Sequence, residues 1–217
     1  MVQTTAVELD DPRSTRDQIL DAGERLFAER GYDGVSMRDI VAGTALRNQA
    51  SLYHHFRNKQ ALYEAVLKRG LEQILGLMPE RQGSTSAEID ANVDRLIDYL
   101  SAHPHLAQLI QRAALDGSPT LQRLLNGLVR PLYTGGRRAL SGLDGVWKDD
   151  EVPHLAAALY LMTFGYFANA SLLQNVVGKD PLGARAVERQ RRFLKTAIAR
   201  LFGIPLEAQR GRLPTNT

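Results

Sequence analysis

Residues 36–59 read SMRDIVAGTALRNQASLYHHFRNK. Ser36 stands three residues before Asp39, the spacing at which a serine caps a helix N-terminus and an acid reaches back to the cap. GTALRN at 43–48 interrupts the helical pattern with turn-forming residues. QASLYHH then resumes it, and Asn58 is placed to cap a further helix beginning at Lys59. A longer helix opens upstream with the same capping signal, STRD at 14–17. One long helix and two short ones across a tight connection make a helix-turn-helix, whose second short helix can enter a DNA major groove. Leu52 and Phe56, four residues apart, read as the packing face of that helix.

Charge distinguishes this stretch from an ordinary bundle. No Asp or Glu falls between Asp39 and Glu64 in a chain that has 24 of them, whereas Arg47, Arg57 and Lys59 lie inside that window. A helix that approaches phosphates closely is repelled by its own carboxylates. Asn48, Gln49 and Ser51 offer hydrogen bonds to base edges, and asparagine or glutamine pairs bidentately with adenine. Tyr53 and His55 have flat polar tips suited to phosphate oxygens. Lys59 adds an ammonium at a helix start, where free backbone N–H groups also favour an anion. For Tyr53 a partly buried core position is the competing reading. His54 and His55 diverge by about 100° on a helix and cannot chelate one metal together; no metal site is expected.

The totals bound the rest. The chain has 217 residues, 44% hydrophobic and 24% charged, enough for one large domain or two small ones. The net charge of +3 makes the placement of charge more telling than its sum. Absence of cysteine excludes disulfides, thiolate metal sites and cysteine nucleophiles, and is compatible with a reducing cytoplasm. MVQTTAVELDDPRS has no basic segment followed by an apolar run, so a secretory signal is not expected, and residues 1–13 read as a disordered arm. Stripes such as Ile19, Ala22, Leu26, Phe27 and Ile89, Val93, Leu96, Ile97, Leu100 are helical, no strand alternation is evident, and the chain is all-α. The expected helices are 14–30, 36–43, 49–55, 59–78, 86–102, 104–115, 119–140 (kinked at Pro131), 152–177 and 182–202, with proline first in the helix after His103, Ser118 and Asp180. Residues 14–58 form a small N-terminal domain, 59–202 a larger bundle, and 203–217 a flexible tail.

Val152–Gly178 carries no Asp, Glu, Lys or Arg. Its length suffices to span a bilayer, but Asn169, Ser171, Gln174 and Asn175 interrupt it and Pro153 and His154 stand at its entrance, so a helix buried in protein is expected and no membrane contact. Ala158, Leu161, Gly165, Ala168 and Leu172 form a mostly small face that permits close approach of another helix. Tyr160, Thr163, Phe164, Phe167, Ser171 and Gln174 form an aromatic face with a few polar groups, as in a small-molecule pocket wall; plain core packing explains these aromatics equally well. Tyr99 and Tyr133 are further pocket candidates. A helix apolar all round must be buried all round, which in a bundle this small requires a partner chain or an enclosed ligand. In the last helix Val187, Leu194, Ala197, Ile198 and Leu201 share one face, while Arg185, Arg189, Arg192 and Lys195 read as a solvated face. No catalytic triad, phosphate loop or paired carboxylates are recognisable, and neither an enzyme nor a cofactor is expected.

STRDQILDAGERLFAERGYDGVSMRDIVAGTALRNQASLYHHFRNKQALYEAVL, residues 14–67, resembles the DNA-binding domain of TetR-type transcriptional regulators. The features that carry the resemblance are ILDAGERLFAERGYDGVSMRDI, LYHHF and NKQALYEAV, in order. It implies that Ser36 caps the second helix and touches a phosphate, and that Arg38 reaches a phosphate or base. It further implies that Tyr53, His55 and Lys59 hold the DNA backbone, with Arg47, Asn48, Gln49, Ser51 and His54 at or near the bases. The chain departs from the family in a turn one residue longer between Ile40 and Phe56, with Ala45 where a glycine is usual. The resemblance also implies a homodimer built on the last two helices (Ala158, Leu161, Gly165, Ala168, Leu172, Leu194, Ile198, Leu201). A bundle cavity would take an unknown small-molecule effector, and the partner would be a palindromic double-stranded operator from which a repressor is released. The alternative is a helical small-molecule binding protein without operator binding; a protein tethered to a membrane through 152–177 is a third reading.

Overall fold

The computed structural model describes residues 14–46, 48–77, 86–130 and 147–203. Among them are ten α-helices and no strand: α1 Thr15–Arg30, α2 Met37–Ala42, α3 Gln49–His55, α4 Lys59–Gly76, α5 Ser86–Ala102, α6 Pro104–Leu115, α7 Pro119–Leu124, α8 Val152–Ala168, α9 Ala170–Val177 and α10 Ala184–Leu201. A π-helical turn, Leu125–Val129, continues α7. The expected arm, the Pro131 kink, Arg47, Tyr133 and the tail beyond Gly203 lie outside the described residues.

The capping signals act where the sequence puts them. Ser14, Asn48, Asn58 and Ser118 accept from the backbone N–H groups of Asp17, Ser51, Ala61 and Leu121. Ser36 and Asp39 form a complete capping box: the Asp39 N–H donates to Ser36 Oγ at 3.2 Å and the Ser36 N–H to Asp39 Oδ2 at 2.8 Å. Each such cap is worth about 1 kcal/mol, enough to fix where these short helices begin. Pro104 and Pro119 open their helices, but Pro181 does not: it lies in a turn, and α10 starts only at Ala184 after Gly183.

Two apolar clusters hold the molecule. One joins Ile19 and Phe27 of α1, Ile40 of α2, Leu52 of α3, Leu62 and Leu67 of α4, Leu106 and Leu109 of α6 and Leu121 of α7. The other joins Ile97 and Leu100 of α5 to Phe167 of α8 and Leu194 of α10. Fully burying one such side chain contributes about 1.5–3 kcal/mol. At Gly70 a Cβ would stand 2.2 Å from Leu106 Cδ1, so glycine is what lets α4 and α6 meet so closely. Polar contacts align the last helix: Arg191 pairs with Asp94 at 3.1 Å and with Asp98 and Glu188, and Lys195 with Asp94 at 2.7 Å. Lys195 is thus half-buried and paired, rather than part of a solvated basic face.

The expected single helix over 152–177 is two helices, bent by 93° at Asn169. Asn169 leaves helical geometry (φ −108°, ψ 27°), and its Nδ2 donates to the Gly165 carbonyl at 2.9 Å. The pair is not buried all round, since Leu161, Leu172 and Val176 are 64%, 68% and 80% exposed in the single chain. Among the described residues no single helix is long and apolar enough to cross a membrane.

Candidate nucleic-acid interface

α3 divides into two faces. Leu52 is completely buried, and Phe56, the residue that ends the helix, packs beneath the Arg16 guanidinium, which sits 4.7 Å from its ring centroid. Gln49, Tyr53, His54 and His55 stay in solvent. Tyr53 is 47% exposed and so does not serve as core. Gln49 and Tyr53, one turn apart, are linked by Nε2 donating to the phenol oxygen at 3.4 Å.

A shallow groove of about 520 Å³ runs beside this face. It brings together Ser36, Arg38, Gln49, Tyr53 and Lys59, five of the expected contact residues, from α2, α3 and the start of α4. Its lining also includes Asp33 and Asp39. The acid-free window of the sequence therefore does not make an acid-free groove, because the turn after α1 delivers Asp33 from outside the window. Asp39 is already engaged: hydrogen bonds from Ser36, with the Arg30 charge 3.8 Å away, hold its carboxyl below the usual range.

Other expected residues have local duties. The Asn48 Oδ1 accepts from the Ser51 N–H at 2.9 Å and from Ser51 Oγ at 3.1 Å, so this oxygen caps α3 instead of facing outward. Lys59 Nζ donates to the Tyr32 carbonyl at 2.9 Å and sits 4.2 Å from the centre of the Tyr32 ring. The lysine thereby ties the start of α4 to the turn after α1, 27 residues earlier, a partnership no local pattern announces. Arg16 was likewise not legible as a neighbour of Phe56, since forty residues separate them.

Behind this face, α1 and α4 carry a polar junction. Glu24, on α1 and almost wholly buried, receives Arg69 NH2 at 3.2 Å, and Asp21 pairs with Arg69 NH1 at 2.8 Å. Burial pushes the Glu24 carboxyl up despite the arginine. Tyr99 of α5 donates to Gln73 Oε1 at 2.6 Å, and burial, with the Glu24 charge, pushes its phenol up to about 12.

The candidate pocket residues do not form one open wall. Phe167 is fully buried, Thr163 is buried with its hydroxyl donating to the Leu159 carbonyl, and Tyr160 stacks on Phe164 with ring centroids 5.2 Å apart. Of the small face on α8 and α9, Leu161 and Leu172 are exposed while Ala158, Gly165 and Ala168 are half-buried. On α10, Leu194 is buried and Ile198 and Leu201 half-buried.

An outward polar helix, seated by a buried apolar side on two others and flanked by a groove that joins Arg38 and Lys59 to hydroxyl and acidic side chains, is the arrangement of a helix-turn-helix DNA-binding domain. Residues 19–66 match the model for bacterial regulatory proteins of the tetR family. Over these residues the chain carries a DNA-binding domain of the tetR-family type. It is 32% identical over 85 residues to the biofilm operon icaADBC HTH-type negative transcriptional regulator IcaR of Staphylococcus aureus, covering 39% of this chain and 45% of that one. It is 31% identical over 100 residues to the HTH-type transcriptional repressor SCO4008 of Streptomyces coelicolor, covering 46% and 50%. The chain thus spans about half the length of the curated relatives it matches. The fold extends further: the crystal structure of SCO4942 from Streptomyces coelicolor aligns over 88% of this chain and 100% of its own, with TM-score 0.61 and 27% identity. A TerR/AcrR-family regulator from Aquifex aeolicus aligns over 87% and 99% with TM-score 0.58 at 18% identity, a likeness of fold alone.

Proposed function

We propose that this chain is a homodimeric transcriptional repressor that binds a palindromic operator and leaves it when a small molecule occupies its helical bundle. The observation that carries the reading is the groove beside α3, where Ser36, Arg38, Gln49, Tyr53 and Lys59 converge on the solvent face of the recognition helix. In this reading Arg38 and Tyr53 hold phosphates, Gln49 and His54 face the bases, and Lys59 adds its charge from the turn it anchors. Arg47, Ser51, His55 and the amide nitrogen of Asn48, whose oxygen caps α3, complete the contact set.

Dimerisation is supported by the apolar side chains that the single chain leaves in water on α8 and α9, with Phe193 of α10 also exposed. Large apolar side chains left exposed on successive helices are what an interface would cover. Two-fold symmetry then sets two recognition helices about one helical turn of DNA, or a multiple of it, apart. An effector acts by preferring one bundle geometry, and so one spacing of the heads, over the other. The stacked Tyr160–Phe164 pair is the proposed effector contact.

The test is selection of bound fragments from random duplex DNA, followed by a titration in rising salt. The reading requires enrichment of a palindrome and an affinity that falls steeply with salt. Binding without sequence preference would favour the helical small-molecule binding protein instead.

A further inference from the structure

We propose that the cleft between the DNA-binding helices and α6–α7 is a second small-molecule site, which takes a hydroxylated or aminated organic acid. The cleft encloses about 740 Å³ and is walled from one side by Arg30, Tyr32, Asp33 and Tyr63 and from the other by Arg112, Asp116 and Arg123. This volume suits a ligand of metabolite size. The wall aromatic pair Tyr160–Phe164 on α8 is not part of its lining.

Three guanidinium groups from three separate elements converge on it. Arg30 ends α1, Arg112 lies on α6 and Arg123 on α7. Arg30 and Arg123 are mostly exposed; Arg30 has a long ion pair, 3.8 Å to Asp39, and Arg123 has one of 3.6 Å to Glu64 and donates NH2 to Thr120 Oγ1 at 3.3 Å. Among the described residues the Arg112 guanidinium has no hydrogen-bond or ion-pair partner. It lies against Gly31, whose φ of 74° suits glycine and where a Cβ would stand 3.2 Å from Arg112 NH1. Planar, always-charged forks of this kind bind carboxylate or phosphate bidentately.

The two carboxylates of the lining refine the chemistry. Asp33 and Asp116 repel a bare polyanion but accept hydrogen bonds from hydroxyl or ammonium groups. Three donor forks and two acceptors therefore match an acid that also carries donors. The floor of the cleft is already joined, since Gln60 Nε2 donates to Thr120 Oγ1 at 2.7 Å across it. A ligand lodged at its mouth would add charge-assisted bonds between the same two walls and hold the reading helices in one orientation to the bundle. That last consequence rests on the regulator reading; binding itself does not.

The test measures thermal unfolding of the full chain in citrate, a hydroxy acid, and in inorganic phosphate, at ionic strength held constant with chloride. The expected result is a melting temperature that rises with citrate and levels off. In Arg112→Gln and in Arg123→Gln the half-saturating concentration should rise at least about tenfold, as loss of a charge-assisted contact requires. Arg123 is solvent-facing, so its variant serves even where Arg112→Gln fails to fold. No saturating rise in the wild type overturns the proposal, and so does an equal rise in all three proteins, which is general anion stabilisation. Loss of DNA affinity in Arg112→Gln without citrate, with no change in the citrate response, also overturns it, by making the cleft part of the DNA surface. DNA selection run without citrate judges the regulator reading separately: its failure leaves the citrate result standing.

Discussion

Gln111 and Asn169 exchange two amide hydrogen bonds, both 3.1 Å, between α6 and the bend that separates α8 from α9. Each amide gives its nitrogen to the other's oxygen, and Asn169 also uses its Nδ2 on the Gly165 carbonyl. The pair joins the helix nearest the DNA-binding core to the bend in the apolar one. In Asn169→Ala the half-buried Gln111 amide loses both bonds, and the protein should be destabilised by about 1–3 kcal/mol. Urea denaturation reads this directly, and an unchanged midpoint would mean that water replaces the asparagine without cost.

The groove residues differ in charge, and the difference is measurable. Arg38→Ala should lower the slope of log affinity against log salt by about 0.9, one released counterion. Tyr53→Ala should weaken binding at every salt concentration with little change in slope, because the phenol is neutral. Both variants should keep the helical circular dichroism of the wild type, since both side chains are exposed.

Glu24 makes the stability of the α1–α4 junction depend on pH. Burial raises its folded pKa above the ordinary 4.5, with Arg69 opposing. The folded chain then holds the proton more tightly than the unfolded one. The carboxyl's contribution is fully present below pH 4.5 and is lost as pH rises through the folded value. Relative to Glu24→Gln, which cannot titrate, the wild type should lose stability on going from pH 4 towards pH 7, by about the few kcal/mol or less that burial of such groups costs. A gain over that interval would show that the arginine outweighs burial.

Asp94 has the opposite sign. Burial pushes its carboxyl up, but hydrogen bonds and charge from Lys195 and Arg191 more than offset this, leaving it below the ordinary 3.8. Its contribution is present above pH 3.8 and disappears as pH falls through the folded value. Asp94→Asn should cost about 1 kcal/mol or less at pH 7, because the carboxylate is partly in water. The gap to wild type should close in acid and shrink in high salt.

Leu161 stands in water in the single chain, so Leu161→Glu leaves the fold of one chain untouched. In a dimer the same substitution buries a charge. The variant should remain helical and sediment as a monomer at concentrations where the wild type is a dimer. A dimer of unchanged stability would place the interface elsewhere.

The N-terminal helices were legible because their signals are local. Caps at Ser14, Ser36, Asn48 and Asn58 and the buried pair Leu52 and Phe56 each depend on residues three or four apart. The break in the long apolar helix is not legible, for the converse reason. An uncharged run reads as continuous, and Asn169 breaks it with a partner, Gln111, that lies 58 residues away in the chain. The candidate contacts were legible as a set but not as individual roles. Nothing near Lys59 in the sequence points to the Tyr32 carbonyl, and nothing in the acid-free window reveals that Asp33 folds back to its edge. The small face of α8 was readable as a face, whereas which of its members remain in water depends on α6 and α10.

The close meeting of α4 and α6 at Gly70 has a consequence for how the chain comes apart. Leu106 fills the space a side chain would occupy, and the cluster it belongs to runs without a break from α1 to α7. The first three helices therefore own no separate core: remove α6 and the floor beneath α1 and α4 goes with it. They should therefore melt together with the first half of the bundle, and a fragment cut after α3 should fail to fold, lacking the apolar ground beneath it.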